Sequence, residues 1–151
     1  MVRAITLTFF LLAGCSAPGP PLKPVGTVRQ IMEGTVHPSS EVIFEAVGTI
    51  ITMSGVQEIA PKSDEEWTGV WNNALTLAEA GNLLMMGDRP KDRDEWMKRA
   101  QALRDAGVLA MKAAEARNAE ALFSAGGTVY EACEQCHYRY RTDGRWKGGM
   151  R

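Results

Sequence analysis

The sequence predicts an all-α fold, an antiparallel up-and-down four-helix bundle. Apolar residues recur every three or four positions from about Gly26 almost to the end of the chain, and no stretch alternates cleanly in the manner of a strand. Turn and capping signals divide that pattern into four segments joined by short loops. Helices that each carry one apolar stripe and are joined by short connections pack most simply as antiparallel neighbours. With 151 residues, 45% of them hydrophobic, the chain has material for one domain with a core.

Residues 1–14 have the order of a secretory signal: Met-Val-Arg, an apolar stretch from Ala4 to Ala13, then small residues. The stretch is too short to be a permanent transmembrane helix. Leu12-Ala13-Gly14-Cys15 resembles the bacterial lipobox, which implies that Cys15 is acylated and becomes the new N-terminus; a plain signal peptide cut near this point is the alternative. Residues 15–25 are rich in proline, which fixes φ and removes backbone donors, so they read as an extended tether between membrane and domain.

The domain proper is expected over residues 26–142. Its first helix begins near Gly26 with Val28, Ile31, Met32 and Val36 on or beside one face. Pro38 removes the bond to the Gly34 carbonyl and biases His37 away from helical geometry, which predicts a kink or break. The pattern resumes through Ile43, Val47 and Ile50 up to Gly55. Ser63-Asp64-Glu65-Glu66 starts the second helix with a capping box and negative charge at the positive end of the dipole. Its stripe is Trp67, Val70, Trp71, Ala74, Ala78 and Leu84, and Gly87-Asp88-Arg89-Pro90 stops it. The third helix is expected from about Asp92 to Ala116, with Trp96, Ala100, Leu103, Ala110 and Ala114 inward. After Asn118 the fourth carries Leu122, Ala125, Val129, Tyr130, Cys133, His137 and Tyr140, and residues 143–151 form a basic tail. Small residues on these faces allow close approach in some layers and leave room for a large planar group in another. High helix propensity explains the same alanines equally well.

The chemistry is concentrated in Cys133-Glu134-Gln135-Cys136-His137. Two thiols one helical turn apart add across haem vinyl groups, and the adjacent imidazole reaches the iron from the same side, so the spacing reads as the attachment site of one covalent haem c. Zinc needs further Cys or His ligands, and His37 and Cys15 are the only others in the chain. A thioredoxin-like pair belongs at a helix N-terminus beside a strand, whereas Cys133 lies deep in a helical pattern. A plain disulfide leaves the position of His137 and the export signal as coincidences. Attachment of haem c takes place outside the cytoplasm, where the signal sends the chain. The net charge of −1 provides no basic field, so no nucleic-acid partner is expected.

Cys133-Glu-Gln-Cys136-His137-Tyr138-Arg139-Tyr140-Arg141 resembles the Cys-x-x-Cys-His-x-x-aromatic-Arg signature of the cytochrome c-prime family, the class II c-type cytochromes. The resemblance in architecture covers roughly residues 26–141, and its specific residues are confined to the last helix. It implies an antiparallel four-helix bundle with the motif near its C-terminus, Cys133 and Cys136 as thioether sites, His137 as proximal iron ligand, and Arg141 as a cation near that histidine or the haem edge. A solvated last-turn arginine is the other reading of Arg141. The resemblance also implies that any distal ligand comes from the first helix, where Met32 stands at the position of the methionine in six-coordinate members.

The distal side decides the expected function. A second strong ligand closes the iron and favours electron exchange; an empty face admits small diatomic molecules. Met32 is the candidate ligand, and ordinary core filling is its alternative role. His37 is its rival, but five residues along an α-helix is about 140° of rotation, so both are not expected on one side. The expectation is a periplasmic, lipid-anchored monohaem carrier of single electrons, not an enzyme, since no general acid or base can be placed beside the haem. The alternatives are a five-coordinate protein binding nitric oxide or carbon monoxide, and a haem subunit docking to a membrane redox enzyme. The implied partners are redox proteins and the membrane through Cys15, with a homodimer also open. Arg29 is read first as an exposed arginine on an amphipathic helix, with a propionate contact as the alternative, and Trp67, Trp71 and Trp96 are read mainly as core anchors, with packing on the porphyrin as theirs.

Overall fold

The computed structural model describes residues 21–141; Cys15, the signal segment and the basic tail lie outside the described residues. The fold is mostly helical, with four helical rods and one small two-stranded sheet. No helix among the described residues is long and apolar enough to cross a membrane.

The first rod comprises α1 (Val28–Ile31), a π-helical turn (Met32–Val36) and α2 (His37–Glu45). It starts on a capping box in which the Thr27 side chain accepts from the backbone of Gln30 and the Gln30 side chain accepts from that of Thr27. Of the kink or break expected at Pro38, the structure shows no break: a π-helical turn precedes the proline and the rod runs on. Ile31, Met32, Val36 and His37 all keep right-handed helical dihedrals, and the rod continues. Pro38 has no N–H for Gly34 and its ring crowds that carbonyl; the chain absorbs the misfit by widening the preceding turn to i→i+5 bonding. The Ser40 hydroxyl then donates to the His37 carbonyl at 2.9 Å.

The rod also ends sooner than the apolar pattern suggests. Val47 and Ile50 do not continue it: β1 (Gly48–Thr52) pairs antiparallel with β2 (Gly55–Ile59), Thr52 opposite Gly55. The run Thr49-Ile50-Ile51-Thr52 is β-branched throughout, which costs side-chain freedom in a helix and suits a pleated strand. Gly55 closes the turn at φ 138°, a backbone conformation open chiefly to glycine. The hairpin stands out from the helices, with Ile51, Met53 and Val56 largely exposed.

The remaining rods follow the sequence closely. α3 (Asp64–Leu84) starts on the expected Ser63–Glu66 capping box. α4 (Glu95–Glu115) starts later than Asp92, whose carboxylate instead accepts from the backbone N–H groups of Asp94 and Trp96 at 3.0 and 2.9 Å. α5 (Ala119–Tyr140) is capped by the Asn118 side chain. At the end of α4, Arg117 takes φ 50° and the Asn118 N–H reaches back to the Ala113 carbonyl at 3.0 Å, the helix-ending bond that glycine usually permits.

α3 and α4 run antiparallel in close contact. A Cβ on Gly107 would lie 2.7 Å from the backbone nitrogen of Ala78, and one on Gly81 would lie 2.8 Å from the Ala100 carbonyl oxygen. α4 runs antiparallel to α5, with Trp96 against Tyr140 and Arg99 against Gln135. The core fills the space between the rods with Ile43, Leu77, Leu122 and Val129, all essentially inaccessible to solvent. The expected inward alanines Ala74, Ala78, Ala100, Ala110 and Ala125 are buried as well.

Candidate functional site

A cavity of about 1500 Å³ lies between the first rod and α5, bounded at one end by the loop joining α3 to α4. Val36, Ile43, Phe44, Val47, Leu122 and Phe123 form apolar parts of its wall. Two adjacent glycines, Gly126 and Gly127, form part of the α5 wall, and a Cβ added at Gly127 would meet nothing within 4 Å. Glycine in a helix interior costs roughly 1 kcal/mol relative to alanine. This helix carries two in succession where a side chain would project into the cavity.

Met32, from the first rod, and Cys133, His137 and Arg141, from the end of α5 and just beyond it, all line this cavity. The Cys-x-x-Cys-His spacing singles out Cys133 and His137, and the family resemblance adds Met32 and Arg141; the fold places all four on one cavity. Met32 is half-buried and packs against the core. The Nδ1 atom of His137 is buried, and the His137 carbonyl accepts the Arg141 N–H at 3.0 Å, which ends α5. Cys136 is not on the cavity wall but is half-buried on the side of α5 near Arg99 of α4. Trp96 lines the cavity, while Trp67 and Trp71 belong to the core.

Both cysteines are free thiols. Burial, reinforced by the neighbouring Cys136, pushes the Cys133 thiol up to about 11. Burial also raises Cys136, with the Arg99 charge pulling the other way. Thiols held protonated are poor nucleophiles and poor disulfide partners at neutral pH. Among the described residues no three His, Cys, Asp or Glu side chains converge, so nothing completes a tetrahedral metal site around the pair.

One end of the cavity is locked by a cluster the sequence did not reveal. The Tyr140 hydroxyl donates to the Asp92 carboxylate, and the two rings Tyr140 and Trp96 meet edge to face at 5.0 Å. The Trp96 indole N–H donates to the Leu84 carbonyl at 2.8 Å. The ends of α3, α4 and α5 are thereby tied around the turn that carries His137. The Tyr140 hydroxyl bond, followed by the Trp96 N–H, lowers the Asp92 carboxyl below its ordinary value.

Arg89 is the other residue that sequence patterning missed. It is buried, lines the cavity, and donates from Nε and Nη2 to the Gly26 carbonyl at 3.0 and 2.8 Å and from Nη1 to the Leu83 carbonyl at 2.8 Å. Those bonds hold the start of the first rod against the α3–α4 loop. They also set a cation beside the cavity without a carboxylate partner among the described residues. Arg29 also borders the cavity, paired with Glu33 at 2.8 Å on an exposed surface.

Of the donors that a covalent haem would need, Met32, Cys133 and His137 stand on the cavity wall beside apolar side chains and the cations Arg89 and Arg141, while Cys136, one turn from Cys133, lies off that wall. Comparison of the chain with protein-family models, with curated proteins and with solved structures finds no match.

Proposed function

We propose that the chain is a monohaem c-type cytochrome of the class II kind, a periplasmic carrier of single electrons held to the membrane through Cys15. The observation that carries this reading is the meeting of Met32, Cys133 and His137 on one apolar-walled cavity. On this reading the four rods are an up-and-down bundle whose first and last members part to take a flat apolar group. Cys133, on the cavity wall, and Cys136, one turn further and off that wall, would hold it through thioether bonds, each S–H adding across a vinyl double bond with no leaving group. His137 and Met32, both on the cavity wall, would be the residues that hold its iron. When bound, the haem supplies a one-electron iron couple. The thioether of Met32 favours the ferrous state, the apolar wall keeps water away, and Arg89 and Arg141 offer charge-assisted hydrogen bonds to carboxylates.

The test is spectroscopic. Produced with a cytochrome c maturation system, the chain should yield haem that stays attached after denaturation, and Cys133→Ala/Cys136→Ala should not. The ferric protein should show the thioether-to-iron charge-transfer band toward the red end of the visible spectrum, lost in Met32→Ala. A wild-type protein without that band, high-spin and altered by carbon monoxide, would transfer the cavity to the gas-binding role. For the anchor, Cys15→Ser should move the protein from membranes to the soluble fraction; persistence in membranes would refute acylation.

A further inference from the structure

The π turn changes which residues of the first rod share the cavity. In an uninterrupted α-helix Met32 and His37 would be about 140° apart, and one of them would face elsewhere. Here the His37 N–H bonds to the Met32 carbonyl, an i→i+5 closure that stacks residue 37 over residue 32. The same phase shift appears on the neighbouring face, where Ile31 and Val36, also five apart, are both 5% exposed. Both Met32 and His37 therefore line the cavity, one turn apart. Met32 is half-buried against the core, and His37 is the more exposed of the two.

We propose that His37 is a second donor on the Met32 side, a reserve ligand that binds the iron when the Met32 sulfur does not. This rests on the haem reading above. Imidazole is among the usual protein ligands of iron, and the two side chains differ in preference: thioether sulfur suits ferrous iron, imidazole nitrogen suits either state. A wall carrying both keeps the iron six-coordinate when one is lost. The widened turn beside Pro38 thus sets the phase that brings the second donor round.

The experiment compares Met32→Ala with Met32→Ala/His37→Ala, both loaded with covalent haem. Met32→Ala should lose the thioether band yet stay low-spin with a nitrogen-ligand spectrum. The double variant should become high-spin, and its apparent carbon monoxide affinity should rise roughly tenfold or more, because a ligand occupying the site nine-tenths of the time lowers apparent affinity by about that factor. Added free imidazole should return the double variant to low spin, showing that the cavity is intact. High-spin Met32→Ala with the same carbon monoxide affinity as the double variant would overturn the role of His37 while leaving the Met32 assignment standing. A wild-type protein lacking the thioether band but made high-spin by His37→Ala would overturn the order of the two ligands. Failure of covalent haem attachment would refute the reading on which both rest.

Discussion

The two thiols of the Cys133–His137 run share a short sequence but not an environment. Burial pushes Cys133 up to about 11, whereas the Arg99 charge partly offsets the rise at Cys136. Because the thiolate is the reactive form, haem-free protein should alkylate more slowly at Cys133 than at Cys136 near neutral pH, with the Cys133 rate climbing until about pH 11; mass spectrometry of timed iodoacetamide reactions reads both. Equal rates at all pH values would contradict the asymmetry. Asp92 provides an acid-side prediction. Its carboxyl is lowered from 3.8, first by the Tyr140 hydroxyl, so the charged form is favoured in the folded state. A depressed carboxyl stabilises above its unfolded value and loses that contribution as pH falls through the folded value. The stability lost in Tyr140→Phe, taken from urea midpoints, should therefore be constant near neutrality and shrink below about pH 4. At this scale the sequence was legible where the residue type and spacing defined the chemistry, as for Cys133 and His137. It was silent on Asp92 and Arg89, whose roles depend on backbone and side-chain groups brought close only by folding.

Capping marks were the dependable signals along the chain. Ser63 with Glu66 and the boundary at Asn118 start helices where expected, because each side chain satisfies N–H groups that the helix leaves open. Local pattern and fold part company where two local preferences compete. Val47 and Ile50 fit a helical spacing, but the β-branched run around them and Gly55 favour a hairpin, and the short segment paired with itself. Pro38 predicts a kink or break; the rod instead runs on through a wider turn that shifts its phase, an outcome that spacing rules based on 3.6 residues do not contain. Glycine carries two different messages in the helices. Gly107 faces the backbone of Ala78, so Gly107→Ala should destabilise by about 1–3 kcal/mol through overpacking, measured by thermal or denaturant unfolding. Gly127 faces open space within the cavity wall, so Gly127→Leu should leave the fold as stable or firmer while reducing haem uptake. Undiminished haem content in Gly127→Leu would argue against the cavity as the binding place.

Over the whole molecule, the mostly helical character and the four rods were readable from periodicity, because each stripe must be buried against a neighbour. The size of the gap between the first rod and α5 was not, since it depends on how far apart α3 and α4 hold the outer rods. The close α3–α4 crossing and the Asp92–Tyr140–Trp96 cluster fix two sides of the arrangement, leaving the first rod as the member across the cavity. The hairpin, at the far end of that rod, has a bearing on the protein's behaviour at high concentration. Among the described residues its two strands have only each other as sheet partners, and Ile51, Met53 and Val56 face solvent. Unpaired strand edges flanked by apolar side chains are templates for further pairing. Colloidal stability should accordingly be governed by these few positions: Ile51→Lys/Val56→Lys should raise the concentration at which turbidity appears while leaving the unfolding midpoint close to that of the parent, so that self-association and folding are controlled by different parts of one small chain.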